Sequence, residues 1–118
     1  MTRIYRGPAL RGDVDKAAEY YEQESGTLAL KFLAAFGDAF RLLRQYPCAG
    51  SPRYGRMLGI HGLRCLPTDT FPYLLFYREQ PGQLVLARLL HMSRDIEPLL
   101  ESRCLPERKA VRGQRNPL

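Results

Sequence analysis

Arg64, Arg78, Arg88 and Arg94 fall on or beside apolar runs in the second half of the chain, and His91 stands where the last run ends. A guanidinium offers a planar fork of donors that fits a phosphate or carboxylate in two-point contact. Several of them on one concave sheet would make an anion site. Alternatively, each pairs with a carboxylate such as Asp69, Glu79 or Asp95, or solvates an edge. Histidine at a strand end can act as general acid or base near neutral pH, or can cap and hydrogen-bond. His61, flanked by glycine in "GIHGL", carries less weight. No phosphate-binding glycine loop or nucleophile–histidine–acid pattern accompanies these residues, and no metal-ligand cluster does, so neither cofactor nor metal is expected.

The tyrosines Tyr20, Tyr21, Tyr73 and Tyr77 could stack on bases, but their spacing suits core and boundary positions. Three cysteines, Cys48, Cys65 and Cys104, lack a C-x-x-C spacing. They read as free thiols of a reducing cytoplasm, with no catalytic role.

The elements that must position these groups follow from periodicity. Val14, Ala17, Ala18 and Tyr21 form one helical stripe, with Asp13 or Asp15 as the expected N-cap. Ser25-Gly26 breaks it. A second helix is predicted over residues 27–45, with Ala29, Phe32, Leu33, Phe36, Phe40 and Leu43 on one face, ending at Tyr46-Pro47. So short a break implies an αα-hairpin. "PCAGSPRYG" reads as a loop, because two prolines and two glycines punctuate it. Strands follow near residues 63–66, over 71–79 ("FPYLLFYRE") and in "QLVLARLL", the last two joined through "QPG" as a β-hairpin. "SRDIEPLLES" predicts a short last helix. The expected fold is therefore α+β: an N-terminal helical hairpin packed on a small antiparallel β-sheet, with a short C-terminal helix. Residues 1–102 form one domain in this reading, and 103–118 a basic, mobile tail.

The net charge of +6 is unevenly placed. Residues 1–46 carry seven basic and six acidic groups, whereas 53–94 hold six arginines against Asp69 and Glu79. Residues 103–118 add five basic groups against Glu107. Such a balance suits an acidic partner, either nucleic acid or an acidic protein segment. No apolar run approaches the roughly 20 residues of a membrane span, and no signal-peptide pattern opens the chain. A cytoplasmic protein with no membrane partner is expected.

Taken in order, "AAEYYEQES", "LALKFLAAF", "GSPRYG", "GLR", "FPYLLFYR" and "LVLARLLHMSRDI" resemble the RelE/ParE superfamily of toxins from bacterial type II toxin–antitoxin modules. The likeness spans about residues 13–100 and is greater to the ParE-like, plasmid-stabilisation branch than to the mRNA-cleaving branch. It implies a toxin neutralised by a cognate antitoxin whose C-terminal segment wraps the hairpin and sheet. That segment would cover Tyr21, Phe32 and Phe36 and pair with Arg64, Arg78 and Arg88. Operator DNA would be met only through the antitoxin. The implied action is inhibition of DNA gyrase, and so of replication, without a catalytic site. The alternative is a RelE-type endoribonuclease that cuts mRNA on the ribosome, with Arg64, Arg78, His91 and Arg94 as its candidate catalytic residues. Against it, no tyrosine follows His91.

Overall fold

The computed structural model describes residues 3–92. The predicted last helix, the basic segment over 103–118, and Arg94 and Asp95 lie outside the described residues. The elements run β1 (Arg3–Arg6), α1 (Leu10–Glu22), α2 (Gly26–Gln45), α3 (Arg53–Leu58), β2 (Leu63–Pro67), β3 (Tyr73–Gln80) and β4 (Gln83–His91). The strands form one sheet in the order β1-β4-β3-β2.

The class is the expected α+β, with the helical hairpin on the sheet. The sheet itself is mixed rather than wholly antiparallel. β2, β3 and β4 are antiparallel neighbours, while β1 lies parallel to β4, with Arg3 opposite Gln83 and Arg6 opposite Leu86. Parallel pairing needs a long crossover, and the whole helical layer and two strands separate β1 from β4 in sequence.

Ser25 ends the first helix and caps the second: its backbone is extended and its Oγ accepts the Leu28 N–H at 3.0 Å. α1 is not capped by an acidic side chain. Ala9 holds the N-cap position, and Asp13 lies in the first turn with its carboxylate directed elsewhere. The alternation along the strands separates two apolar clusters. Leu75, Tyr77, Leu86 and Leu89 face the hairpin, where they meet Tyr21, Phe32 and Leu43. Leu63, Cys65, Phe76 and Leu90 face the other way and are covered by Tyr54, Leu58 and Ile60. Each fully buried large apolar side chain contributes roughly 1.5–3 kcal/mol.

The segment read as a loop contains α3, which that reading missed. Its proline and glycine mark helix ends rather than irregular chain. Pro52 occupies the N-cap, where a missing N–H costs little, and Ser51 Oγ accepts the Arg53 N–H at 3.2 Å. Gly59 ends the helix in the left-handed region (φ 70°), and the Ile60 N–H bonds back to Gly55 O at 2.9 Å. The register between β3 and β4 slips by one residue after Phe76, so Phe76 opposes Arg88 while Tyr77 opposes Leu86. Ala87 is the extra residue, a bulge that bends and twists β4.

Candidate functional site

The strand register decides whether the arginines converge. Arg64 opposes Tyr77 and therefore lies on the hairpin face. Arg78 opposes Leu63 and Arg88 opposes Phe76, which places both on the opposite face. His91 opposes Tyr73 and packs its ring edge-on against it, with centroids 5.1 Å apart. It shares a face with Arg64, but Tyr77 lies four positions beyond Tyr73 on β3, roughly 13 Å along a strand. The concave guanidinium cluster expected of a nuclease is not assembled from Arg64, Arg78, Arg88 and His91. Arg94 lies outside the described residues.

Arg88 is held by Asp13. Nε lies 2.7 Å from Oδ2 and Nη2 2.9 Å from Oδ1, a two-point pair with both side chains about 85% buried. Asp13 Oδ2 also accepts the Leu89 N–H at 3.0 Å. β1 stops opposite Leu86, so the β4 edge beyond it has no neighbouring strand there, and the first turn of α1 supplies the acceptor instead. That requirement explains why Asp13 is not a cap. Arg78 is 4% exposed.

Arg64 fastens the loop after α2 to the sheet. Its Nη1 donates to Gly50 O at 2.8 Å, and its Nε to Glu79 Oε1 at 2.9 Å. Cys48 Sγ donates to the other oxygen, Glu79 Oε2, at 2.9 Å. Tyr77 completes the clasp: its hydroxyl donates to Pro47 O at 2.9 Å and accepts the Gly50 N–H at 2.8 Å. The loop approaches so closely that a Cβ on Gly50 would lie 2.6 Å from Tyr77 Oη and 2.9 Å from Cys65 O. The hydrogen bond from Cys48, and then Arg64, hold the Glu79 carboxyl below its ordinary range. The same bond to Glu79 pushes the Cys48 thiol up. Burial raises the Cys65 thiol and the Tyr77 hydroxyl. These groups resist ionisation and suit a structural role rather than nucleophilic chemistry.

Of the apolar residues expected at an antitoxin interface, Phe32 is fully buried and Tyr21 is 9% exposed. Tyr21 stacks among Phe32, Phe71 and Tyr73. Both therefore belong to the chain's own core. Phe36 is half-buried, and Tyr20, Leu30 and Leu33 are exposed on the hairpin.

Beside the clasp, at the end of the sheet where β3 turns into β4, lies a cleft of about 760 Å³. α3 and the α3–β2 turn form one wall, and the segment from Glu79 to Leu84 forms the other. Arg56 and His61 stand exposed on its rim. Sequence reasoning gave His61 little weight and passed over Arg56. The available signal was the i, i+3 spacing of Arg53 and Arg56, which falls on one face once α3 is a helix. Among the described residues, no group of His, Cys, Asp and Glu could hold a metal ion. No described helix is long and apolar enough to cross a membrane.

The family model for "ParE toxin of type II toxin-antitoxin system, parDE" matches residues 5–96. The chain belongs to the ParE toxin family. Among solved structures, the chromosomal ParDE toxin–antitoxin system from P. aeruginosa is similar at 20% identity and a TM-score of 0.66. The match covers 79% of this chain and 98% of that one, and it shows a shared ParE fold. No curated protein matches significantly. In this ParE chain, Arg64 and Arg88 of the sheet are engaged in holding the fold together, and Arg53 and Arg56 stand exposed on α3.

Proposed function

We propose that this ParE-family chain is a growth-inhibiting toxin of the cytoplasm, neutralised by a cognate antitoxin and directed against DNA gyrase. The family match over residues 5–96 carries the proposal. The disposition of the arginines speaks for a binding toxin over a ribonuclease. Phosphodiester cleavage needs acid, base and charge-stabilising groups around one reacting phosphate. Here Arg64 and Arg88 are ion-paired on opposite faces, and His91 packs on Tyr73.

In this proposal the antitoxin covers the hairpin, where Phe36 and the exposed Tyr20, Leu30 and Leu33 offer apolar surface. Tyr21 and Phe32 support that surface from beneath. Arg64 retains some accessible area for an acidic contact, its side chain being 23% exposed. Operator DNA is reached through the antitoxin.

The test is induction of the protein alone in a bacterial host, with DNA synthesis and translation followed separately. DNA synthesis should stop first, and co-expression of the antitoxin should restore it. Early loss of translation with cut messages would instead establish the endoribonuclease.

A further inference from the structure

Three properties of the cleft beside α3 restrict what fits it. First, its accessible rim is basic. Arg56 and His61 are exposed, and among the described residues neither has a carboxylate within ion-pair distance. Arg53, also exposed, lies one turn before Arg56 and adds the same sign. The carboxylate on the wall, Glu79, is already matched by Arg64 and Cys48. Second, its accessible apolar surface comes from three prolines, the half-buried Pro47 and Pro52 and the exposed Pro81. Third, no Phe, Tyr or Trp lines the cleft. Single-stranded nucleic acid is held largely by bases stacking on aromatic rings, so it finds no platform here.

We infer that this cleft receives an extended acidic segment of a partner protein, whose carboxylates meet Arg56 and His61 while aliphatic side chains rest on Pro47, Pro52 and Pro81. Its volume falls within the range of ligand-binding clefts. Its walls include Pro47, Pro52 and Pro81, whose fixed backbones lower the ordering cost of binding. A second copy of this chain is a poor occupant, because both copies carry a net charge of +6. The inference holds whichever cellular target the toxin takes.

The test uses the full chain and a short fluorescein-labelled peptide of alternating glutamate and leucine, titrated by anisotropy at low salt. The lysine–leucine counterpart and labelled oligothymidylate are the competing probes. Arg56→Glu and Arg56→Glu/His61→Ser should keep the wild-type melting curve, because both side chains are exposed. Both should bind the acidic peptide about tenfold or more weakly, since like charge replaces attraction. Lys16→Glu is the control. It is exposed on α1, whose end packs on Phe71 and Tyr73 at the opposite end of β3 from the cleft. It should change affinity by less than about twofold, the difference long-range screening allows. Equal loss in Lys16→Glu and Arg56→Glu would reduce the binding to net charge and overturn the inference. So would absence of binding to the acidic peptide, or tighter binding of oligothymidylate.

Discussion

Arg88 and Arg56 are arginines of one chain in opposite circumstances. Arg88 meets Asp13, 75 residues away, in a two-point pair that is largely buried. Arg56 stands exposed on α3 with no acidic partner among the described residues. The contrast follows from position. A guanidinium on an apolar strand cannot keep its hydration, so the fold must place a carboxylate against it. A guanidinium on the outer side of a short helix has no such need and remains available. Within the apolar runs of this sheet, Arg64 and Arg88 each have an internal carboxylate, whereas Arg56 stands open beside the strands.

The sharpest way to break the comparison is to remove Asp13. Asp13→Ala leaves Arg88 largely buried without its carboxylate and the Leu89 N–H without its acceptor. The cost should be about 3 kcal/mol, a fall in melting temperature of more than about 10 °C. A loss as small as that of a surface pair would make Arg88 an available binding group after all.

Next in size is the clasp. Gly50→Ala drives a methyl group to within 2.6 Å of Tyr77 Oη, so the loop must shift, at about 2 kcal/mol. Tyr77→Phe leaves the buried Gly50 N–H without its acceptor and should cost about 1.5 kcal/mol by urea unfolding.

These two regions also mark what could be read from the sequence. The hairpin was legible because Ala29, Phe32 and Leu43 repeat with helical period and all are buried. The strands were legible because "YLLFYREQ" and "QLVLARLLH" are dense in apolar residues between turn residues. An Arg64–Glu79 pair was among the alternatives, since Glu79 was one of the three carboxylates offered to the arginines. The clasp on the Pro47–Gly50 loop and the Asp13–Arg88 pair were not legible. Their partners are separated by 14 to 75 residues, and no local period encodes such a contact. Asp13 also looked like a helix cap, an equally good use of the same residue type. α3 was hidden because its proline and glycine serve as helix ends, which composition alone cannot tell from a loop.

A smaller effect concerns Glu79. Its folded carboxyl titrates below the ordinary value of 4.5. The charged form is therefore favoured in the folded state, a stabilisation complete above the ordinary value and lost as pH falls through the folded one. The wild-type urea midpoint should decline more steeply below about pH 4.5 than that of Glu79→Gln. Coincident profiles would remove Glu79 from the clasp. The same variant should alkylate faster at Cys48, measured by peptide mapping after iodoacetamide, because the bond that raises the thiol is weakened.

The smallest expected effect on stability belongs to α3. Arg53→Glu and Arg56→Glu should each lie within about 0.5 kcal/mol of wild type by urea unfolding. A larger loss from either would place α3 among the arginines that hold the fold.

The central claim is that this ParE chain binds its target rather than cutting RNA. Purified protein, assayed side by side on DNA gyrase supercoiling and on message cleavage by translating ribosomes, tests it most directly. The account predicts dose-dependent loss of supercoiling with intact messages. Cut messages with supercoiling unaffected would contradict it.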